Sequence, residues 1–221
     1  DQGTTSSRSI IFNNKLEKVY DSQKEYNLSY PDDGWVELNP DDVLNTVTET
    51  LQDVLNKCSE VEACGITNQR ETTIVWSRET GKPIYPGIVW QDRRTSSNCD
   101  NLKLEGHEET IKSKTGLVLD PYFSATKIKW ILDSVDGARQ QAESGELAFG
   151  TVDSYLIYKL SKKTEPLYML IKEFVKSIVS LLLTRRPVMP GLIILGIPPT
   201  EVPIQGVPQL KASTKQFGKL S

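Results

Sequence analysis

Residues 39–66 read NPDDVLNTVTETLQDVLNKCSEVEACGI, and they combine the clearest helix signal of the chain with a strand-like stretch. Asn39 is a favoured N-cap, Pro40 suits the first helical position, and the two aspartates that follow lie at the positive end of the helix dipole. The apolar positions recur at helical spacing on one face; they are Val43, Leu44, Val47, Leu51, Val54 and Leu55. Residues 61–66 then predict a buried strand.

The same alternation of strands and helices extends in both directions from this stretch. Upstream, residues 9–12 and 16–26 predict two strands separated by an Asn-Asn turn. Downstream, the chain predicts a hairpin of residues 72–76 and 84–90, a helix at 126–135, a strand at 147–149 and a helix at 153–160. This alternation indicates an α/β domain, and we expect residues 1–160 to form a mixed sheet flanked by helices. The helix at 39–57 should pack through Val43, Val47, Leu51 and Val54.

Composition and charge exclude several classes of protein. The 221 residues carry a net charge of −3, so the basic footprint of a nucleic-acid-binding protein is missing. No run of about 18 apolar residues occurs, which argues against a membrane span, and the opening residues DQGTTSSRS show no signal peptide. The three cysteines and one histidine fit neither a disulfide framework nor a zinc site. We therefore expect a cytoplasmic protein, with Cys64 as a small buried residue in its strand.

The end of the chain differs in composition from the rest. Residues 154–221 contain eight lysines and two arginines against three glutamates, a net charge of +7, and seven of the twelve prolines. So abrupt a change indicates either a domain boundary or a break in the history of the sequence, such as a frameshift, and we expect residues 161–221 to be a divergent, basic and proline-rich tail. Residues 167–183 predict one helix there, more typical of a core or interface than of a membrane surface.

Residues 1–8, DQGTTSSR, form an unusual polar segment. Backbone N–H groups of a glycine-containing turn, with hydroxyls beside them, can bind phosphate oxygens, and a carboxylate can hold the magnesium ion that bridges them. The alternative is a solvated segment rich in threonine and serine, and the residues alone favour neither interpretation.

Residues 65–72, GITNQRET, place six polar residues directly after the predicted buried strand. Ligand groups of α/β folds lie at such strand ends. Arg70 and Glu71 offer five donors and a carboxylate acceptor to one small polyol. Taken alone, this pattern slightly favours an ordinary surface turn with an incidental ion pair.

Two further segments present aromatic side chains beside polar ones. In residues 87–95, GIVWQDRRT, Trp90 ends a strand and meets a charged run. In residues 115–124, TGLVLDPYFS, the Asp-Pro pair predicts a turn that presents Tyr122. A core tryptophan and a buried tyrosine with a satisfied hydroxyl are the alternatives.

Together and in this order, the four segments resemble the FGGY family of carbohydrate kinases, and within it the glycerol kinases. The resemblance extends from Asp1 to about Leu160 and includes PDDGWVE at 31–37 and FGTVDSYLI at 149–157. It implies a ribonuclease H-like, actin/hexokinase-like ATPase fold, of which residues 1–160 are the N-terminal domain and the second domain is missing. The Arg-Glu pair, Trp90 and Tyr122 point to glycerol rather than a pentulose.

The resemblance also implies roles for individual residues. The ATP phosphates would be lined by Thr4, Thr5, Ser6 and Arg8, and Asp1 would approach Mg²⁺. Glycerol hydroxyls would bond to Arg70, Glu71 and Tyr122, and the carbon chain would pack on Trp90. The reaction would be transfer of the γ-phosphoryl group of ATP to a primary hydroxyl, largely by positioning and charge neutralisation. The full-length protein is also compatible with a homo-oligomeric state.

One departure from the family concerns catalysis. The general base of the family is the Asp of a Gly-Asp-Gln motif, and this chain has no Asp after Asp153. Residues 202–207 resemble the lead-in to that motif, but Pro-Gln-Leu follows. We therefore assign no catalytic residue and expect the isolated chain to be inactive. A non-catalytic remnant, a ligand-binding fragment, and a kinase for another small polyol or sugar are the alternatives.

Overall fold

The computed structural model describes residues 1–58, 60–61 and 64–160. Its strands are β1 (Ser6–Phe12), β2 (Lys18–Glu25), β3 (Leu28–Ser29), β4 (Glu37–Leu38), β5 (Ile74–Ser77), β6 (Gly87–Ile88) and β7 (Leu147–Gly150). Its helices are α1 (Pro40–Leu55), α2 (Ser96–Leu104), α3 (Glu108–Thr115), α4 (Ser124–Ser134), α5 (Ala138–Ser144) and α6 (Val152–Leu160). Within these described ranges, no helix combines the length and the hydropathy that crossing a bilayer requires.

The helix predicted from residue 39 is confirmed as α1. Its N-cap is Asn39, whose side-chain oxygen accepts a hydrogen bond from the backbone N–H of Asp41 at 3.0 Å. The helix packs on the β1–β2 hairpin. Val43 and Val54 are buried as predicted. Val47 and Leu51 are half-buried, so the predicted face of α1 is turned away from solvent.

The predicted mixed sheet is wrong for the described residues, which form three small antiparallel ladders instead. β1 pairs with β2, β5 pairs with β7, and β4 lies between β3 and β6. The parallel pairing in this part of the chain is a single bridge between Gln2 and Asn68. The ladder of β3, β4 and β6 stays short because Pro40 and Pro86 lie close to its strands and lack the N–H that a longer ladder needs.

The predicted hairpin of residues 72–76 and 84–90 is present only in part. The chain does turn back, with Gly81 at a φ of +70°, and isolated bridges join Thr73 to Ile88 and Trp76 to Pro83. The regular partner of β5 is β7, however. Pro83 and Pro86 interrupt the row of N–H donors along the second strand of the predicted hairpin. Strand β7 contains no proline, so its row of donors is continuous.

Strand β5 separates two hydrophobic cores. Its side chains alternate between the two faces of the ladder, so Ile74 and Trp76 join one core and Val75 joins the other. The Trp76 ring packs edge-to-face on Tyr155 of α6, with centroids 5.4 Å apart. The second core receives the buried face of α4, as predicted: Ile128, Ile131 and Leu132. These two cores hold α4 and α6 on opposite sides of the strand.

The strand predicted at 61–66 is not formed by its described members. Val61, Cys64, Gly65 and Ile66 lie outside any strand, and residues 62–63 are outside the described part of the chain. Cys64 is exposed, so its predicted burial is wrong. Backbone hydrogen bonds of the kind expected for this strand are found just after it in the chain: the Gln2 N–H donates to the Thr67 carbonyl at 2.8 Å. The helix predicted at 167–183 also lies outside the described residues.

A buried ion cluster links β4, the loop after β6 and α4. The Arg94 side chain has no exposed surface, and its Nη2 lies 2.8 Å from Asp92 Oδ2 and 2.9 Å from Glu37 Oε1. The guanidinium also lies 3.9 Å from the Trp35 ring centroid and 4.6 Å from that of Trp130. Both charge pairing and cation–π contact therefore stabilise this cation inside the domain.

Candidate functional site

Residues 1–8 form a tight hairpin that continues into β1. The Gly3 N–H donates to the Ser6 carbonyl at 2.9 Å, and the Arg8 N–H donates to the Asp1 carbonyl at 2.8 Å. A Cβ at position 3 would lie 3.2 Å from the Ser6 carbonyl oxygen, which is tighter than most real contacts. Glycine therefore allows this turn, and the turn places Thr4 and Thr5 at its tip.

The side chains predicted to bind phosphate divide into two directions. Ser6 and Arg8 share one face of β1, where Gln23 Nε2 donates to Ser6 Oγ at 3.0 Å and Arg8 Nε donates to Gln23 Oε1 at 3.0 Å. Thr5 is exposed beside them at the tip of the turn. Thr4 instead accepts a hydrogen bond from Trp90 Nε1 at 3.1 Å. Thr4 therefore links the predicted phosphate segment to the predicted polyol segments.

Trp90 connects the tip of the hairpin to Tyr122. The two rings pack edge-to-face with centroids 6.1 Å apart and an interplanar angle of 68°. They border an open cavity of about 500 Å³, which is lined by Trp90, Gln91, Arg93, Val118, Asp120, Tyr122 and Phe123. A cavity with aromatic walls and a few polar groups is typical of a small-ligand site.

Glu71 is held from the first turn of α4. Its Oε2 accepts hydrogen bonds from the Ser124 N–H at 3.1 Å and from Ser124 Oγ at 2.8 Å. Its carbonyl accepts a third from Lys127 Nζ at 2.9 Å, and the same Nζ donates to the Tyr122 carbonyl at 2.7 Å. Glu71 is thus linked to Tyr122 through Lys127, and Tyr122 in turn contacts Trp90. That these side chains share one glycerol site stays a prediction.

Two predicted residues stand apart from these contacts. The Arg70 side chain is exposed, next to Glu71 in the chain. Asp1 is exposed at the open end of the hairpin, away from its tip. Among the described residues there is no cluster of three or more His, Cys, Asp or Glu side chains that could hold a metal ion. A magnesium ion at Asp1 would therefore take most of its ligands from phosphate and water, as Mg²⁺ commonly does.

The sequence interpretation missed a buried hydrogen-bond network beneath the predicted phosphate turn. The Tyr26 hydroxyl donates to the Gly3 carbonyl at 2.7 Å and accepts from Gln69 Nε2 at 3.0 Å and Gln2 Nε2 at 3.1 Å. Burial raises the pKa of Tyr26 to about 12, so its hydroxyl stays a donor. Gln69 also accepts from Thr72 Oγ1 at 2.9 Å. The signal available in the sequence was that Gln2 and Gln69 both lie in segments predicted to bind ligands; the structure shows that both are buried.

Lys127 was also missed, because a lysine on an amphipathic helix is normally solvated. Its side chain is fully buried. Burial lowers the pKa of Lys127 from 10.5 to about 8, although nearby Glu71, Asp92 and Asp120 favour the ammonium form and Arg94 opposes it. The folded protein therefore loses this proton at a lower pH than the unfolded chain does. Below about pH 8 both states are protonated, and the buried charge then destabilises the fold.

We expect the stability contribution of Lys127 to rise as pH increases from about 8 to 10.5. Over that range the unfolding free energy of the unmodified chain, relative to Lys127→Met, should rise by about 3 kcal/mol. Urea unfolding of both proteins at several pH values measures this difference, and Lys129→Met on the exposed side of α4 is the control. Above pH 10, ionisation of Tyr26 in the unfolded chain lowers the unfolding free energy. This effect is the same in the unmodified chain and in Lys127→Met, so it cancels in their difference. A pH-independent difference would contradict the assignment.

Comparisons with known proteins agree with this fold. The sequence profile of the N-terminal domain of the FGGY family of carbohydrate kinases matches residues 1–168. A glycerol kinase of Oceanobacillus iheyensis is 57% identical over 165 residues, covering 73% of this chain and 33% of that protein. A glycerol kinase of Staphylococcus epidermidis is 44% identical over 223 residues, covering 99% of this chain and 44% of that protein. The chain therefore spans less than half the length of these curated relatives.

Solved structures show the same architecture. The crystal structure of Plasmodium falciparum glycerol kinase with ADP has a TM-score of 0.71 and 29% identity, covering 73% of this chain and 33% of that one. The crystal structure of a xylulose kinase from Lactobacillus acidophilus shares the fold, with a TM-score of 0.66 and 22% identity. The match covers 73% of this chain and 32% of that one. The fold is the actin/hexokinase-like ATPase fold of these sugar kinases. Because the family profile covers well over half of its residues, the chain belongs to the FGGY family of carbohydrate kinases.

Proposed function

We propose that this chain is the N-terminal part of an ATP-dependent glycerol kinase, which phosphorylates glycerol to sn-glycerol 3-phosphate. The names of its relatives support this function. The observation that carries the proposal is the 3.1 Å hydrogen bond between Trp90 Nε1 and Thr4 Oγ1. It joins the turn that suits phosphate to the aromatic site that suits a short polyol.

The phosphates of ATP would bind at the hairpin turn. Thr5 Oγ1 and Ser6 Oγ offer donors at a tight, glycine-dependent bend, and the exposed Arg8 guanidinium supplies positive charge. This donor set fits anionic oxygens. Asp1 would approach the Mg²⁺ ion as its protein carboxylate. When bound, Mg²⁺ neutralises charge on the phosphates during transfer.

Glycerol would bind between Glu71 and the two rings. Both hydrogen bonds from Ser124 to the Glu71 carboxylate use Oε2, so Oε1 can accept a bond from a substrate hydroxyl. Arg70 would add donors, the Tyr122 hydroxyl would bond a second oxygen, and the Trp90 face would cover the carbon chain. The residues of this chain would thus orient a primary hydroxyl toward the phosphate turn, and the rate gain from orientation is large.

No residue of this chain is assigned as the general base, so the base is proposed to come from another part of the whole enzyme. We place that enzyme in the cytoplasm, because Cys58, Cys64 and Cys99 are all free thiols in the described structure and a reducing compartment keeps thiols free. The domain boundary at residues 160–161 and a homo-oligomeric state of the full-length protein stay predictions.

The substitution Arg70→Ala should weaken glycerol binding much more than ATP binding. Loss of a charged hydrogen bond costs about 1.5–3 kcal/mol, which corresponds to roughly a 10- to 150-fold rise in KM for glycerol. The assay uses a full-length family member that carries the four segments, with glycerol and ATP varied separately. Arg139→Ala on α5, which removes an exposed cation paired with Asp133, is the matched control.

Two results would contradict the proposal. Equal effects of Arg70→Ala on glycerol and ATP would assign Arg70 to the structure rather than to the substrate. An unmodified full-length protein that phosphorylates a pentulose or a hexonate but not glycerol would show that the substrate class is wrong.

A further inference from the structure

We propose that the first turn of α4, through Ser124 and Lys127, is the positioning element that holds Glu71 and Tyr122 together for a polyol hydroxyl. The inference rests on the proposed function, because Glu71 and Tyr122 are proposed there to bind glycerol. Ser124 and Lys127 themselves act through these two residues rather than by contact with the substrate.

Lys127 joins two separate segments at the level of the main chain. Its fully buried Nζ donates to the carbonyl of Glu71 at 2.9 Å and to the carbonyl of Tyr122 at 2.7 Å. These partners are carbonyls rather than carboxylates, so the lysine fixes backbone positions instead of forming an ion pair. Removal of the ammonium would leave the Tyr122 carbonyl without this donor and the Glu71 carbonyl with the Thr73 hydroxyl, at 3.2 Å, as its remaining side-chain donor. This loss favours a local rearrangement of both segments.

Ser124 fixes the carboxylate of Glu71. Its N–H and its hydroxyl both donate to Oε2, at 3.1 and 2.8 Å, and the N–H belongs to the positive end of the α4 dipole. With Oε2 occupied twice, Oε1 is oriented as the acceptor for a ligand. The helix therefore selects which oxygen of Glu71 faces a substrate hydroxyl.

The backbone of Glu71 requires such support. Its φ is +64°, a left-handed conformation that is unfavourable for a residue with a Cβ. Strain of this kind persists where surrounding contacts determine the conformation, and it concentrates at ligand sites. Three hydrogen bonds from the first turn of α4 supply those contacts. The geometry thus explains why the strained residue is also the one proposed to bind substrate.

The test uses a full-length family member that carries Glu71, Tyr122, Ser124 and Lys127 at matching positions. Lys127→Met keeps an unbranched side chain one atom shorter than lysine but removes its donors, and Ser124→Ala removes one hydroxyl. We expect KM for glycerol to rise at least 10-fold in the first variant and 3-fold or more in the second. KM for ATP should stay within 2-fold in both. Lys129→Met, an exposed lysine on the same helix, should leave both constants unchanged.

Two outcomes for Lys127→Met overturn the inference. A folded Lys127→Met protein with unchanged KM for glycerol contradicts it, as does an equal loss of glycerol and ATP binding accompanied by a lower Tm, which indicates general structural damage. If Lys127→Met does not fold, Ser124→Ala is the test: an unchanged KM for glycerol, or an equal rise in KM for glycerol and ATP, contradicts the inference. An unmodified protein without glycerol turnover overturns the proposed function as well, whereas normal turnover with unaffected variants overturns only the positioning role.

Discussion

A polypeptide of these 221 residues should show no glycerol-dependent phosphorylation at an enzymatic rate, which is typically about 1–10³ s⁻¹. Phosphoryl transfer requires the donor phosphates, the metal ion, the acceptor hydroxyl and a base to be aligned together. The described residues offer only the proposed phosphate turn and the proposed polyol site. They amount to about a third of the length of the glycerol kinases that they match.

Loss of a general base has an effect of known size. There is no Asp after Asp153, and loss of a general base typically lowers a rate by about 10²–10⁴-fold. Absence of the surfaces that close over the nucleotide and exclude water should lower the rate further. Leu210→Asp, which adds a carboxylate after the Gly-Val-Pro-Gln sequence, should therefore not restore turnover.

The measurement is a coupled assay for ADP release together with direct detection of glycerol 3-phosphate. The mass of the purified chain is confirmed, and the full-length Oceanobacillus iheyensis glycerol kinase is run in parallel as the positive control. Turnover by the 221-residue chain within the usual enzymatic range would show that residues 161–221 complete a catalytic site. Rescue by Leu210→Asp would show that the base alone was missing.

The substitution Arg94→Met should destabilise the domain by about 3–5 kcal/mol, because it removes one partner of a buried ion cluster. Asp92 and Glu37 are both buried and lie 2.8 and 2.9 Å from Arg94 Nη2. Without the guanidinium, two carboxylates share an interior site. The contact with the Trp35 ring at 3.9 Å is lost as well.

Arg93→Met is the matched control for this prediction. Arg93 is the preceding residue, its side chain is 56% exposed, and it pairs with Asp120 at 3.1 Å. An exposed pair of this kind contributes about 0–1 kcal/mol. Urea unfolding of both variants measures the contrast, and equal losses of stability would contradict a special role for the buried cluster.

Local elements with strong signals were predictable from the sequence. The start of α1 follows from Asn39 and Pro40, and the buried face of α4 follows from apolar residues at helical spacing. Helices α2 and α3 carry no such signal, since α3 has no buried residue at all, and both were missed. Helix α2 buries only Cys99, and neither helix has an N-cap side chain that accepts a hydrogen bond from its first turn.

Strand pairing was predicted less well than strand location. β5 and β7 were each placed correctly, yet their mutual pairing was not foreseen, because they lie on either side of four helices in the chain. Pairing between distant strands depends on which neighbour can offer continuous N–H donors. Cys64 was misjudged for a related reason: an apolar run indicates burial only if a neighbouring element covers it.

By itself, the sequence determined the family, the helices with apolar faces and the residue types that suit phosphate and a small polyol. Only the tertiary structure decided which of these groups meet. Segments far apart in the chain are joined by the hydrogen bond from Trp90 to Thr4 and by the two hydrogen bonds from Ser124 to Glu71. They are also joined by the buried Lys127, which donates to two carbonyls. Such contacts depend on how the cores position β5 and α4, and no local pattern of residues encodes those distances.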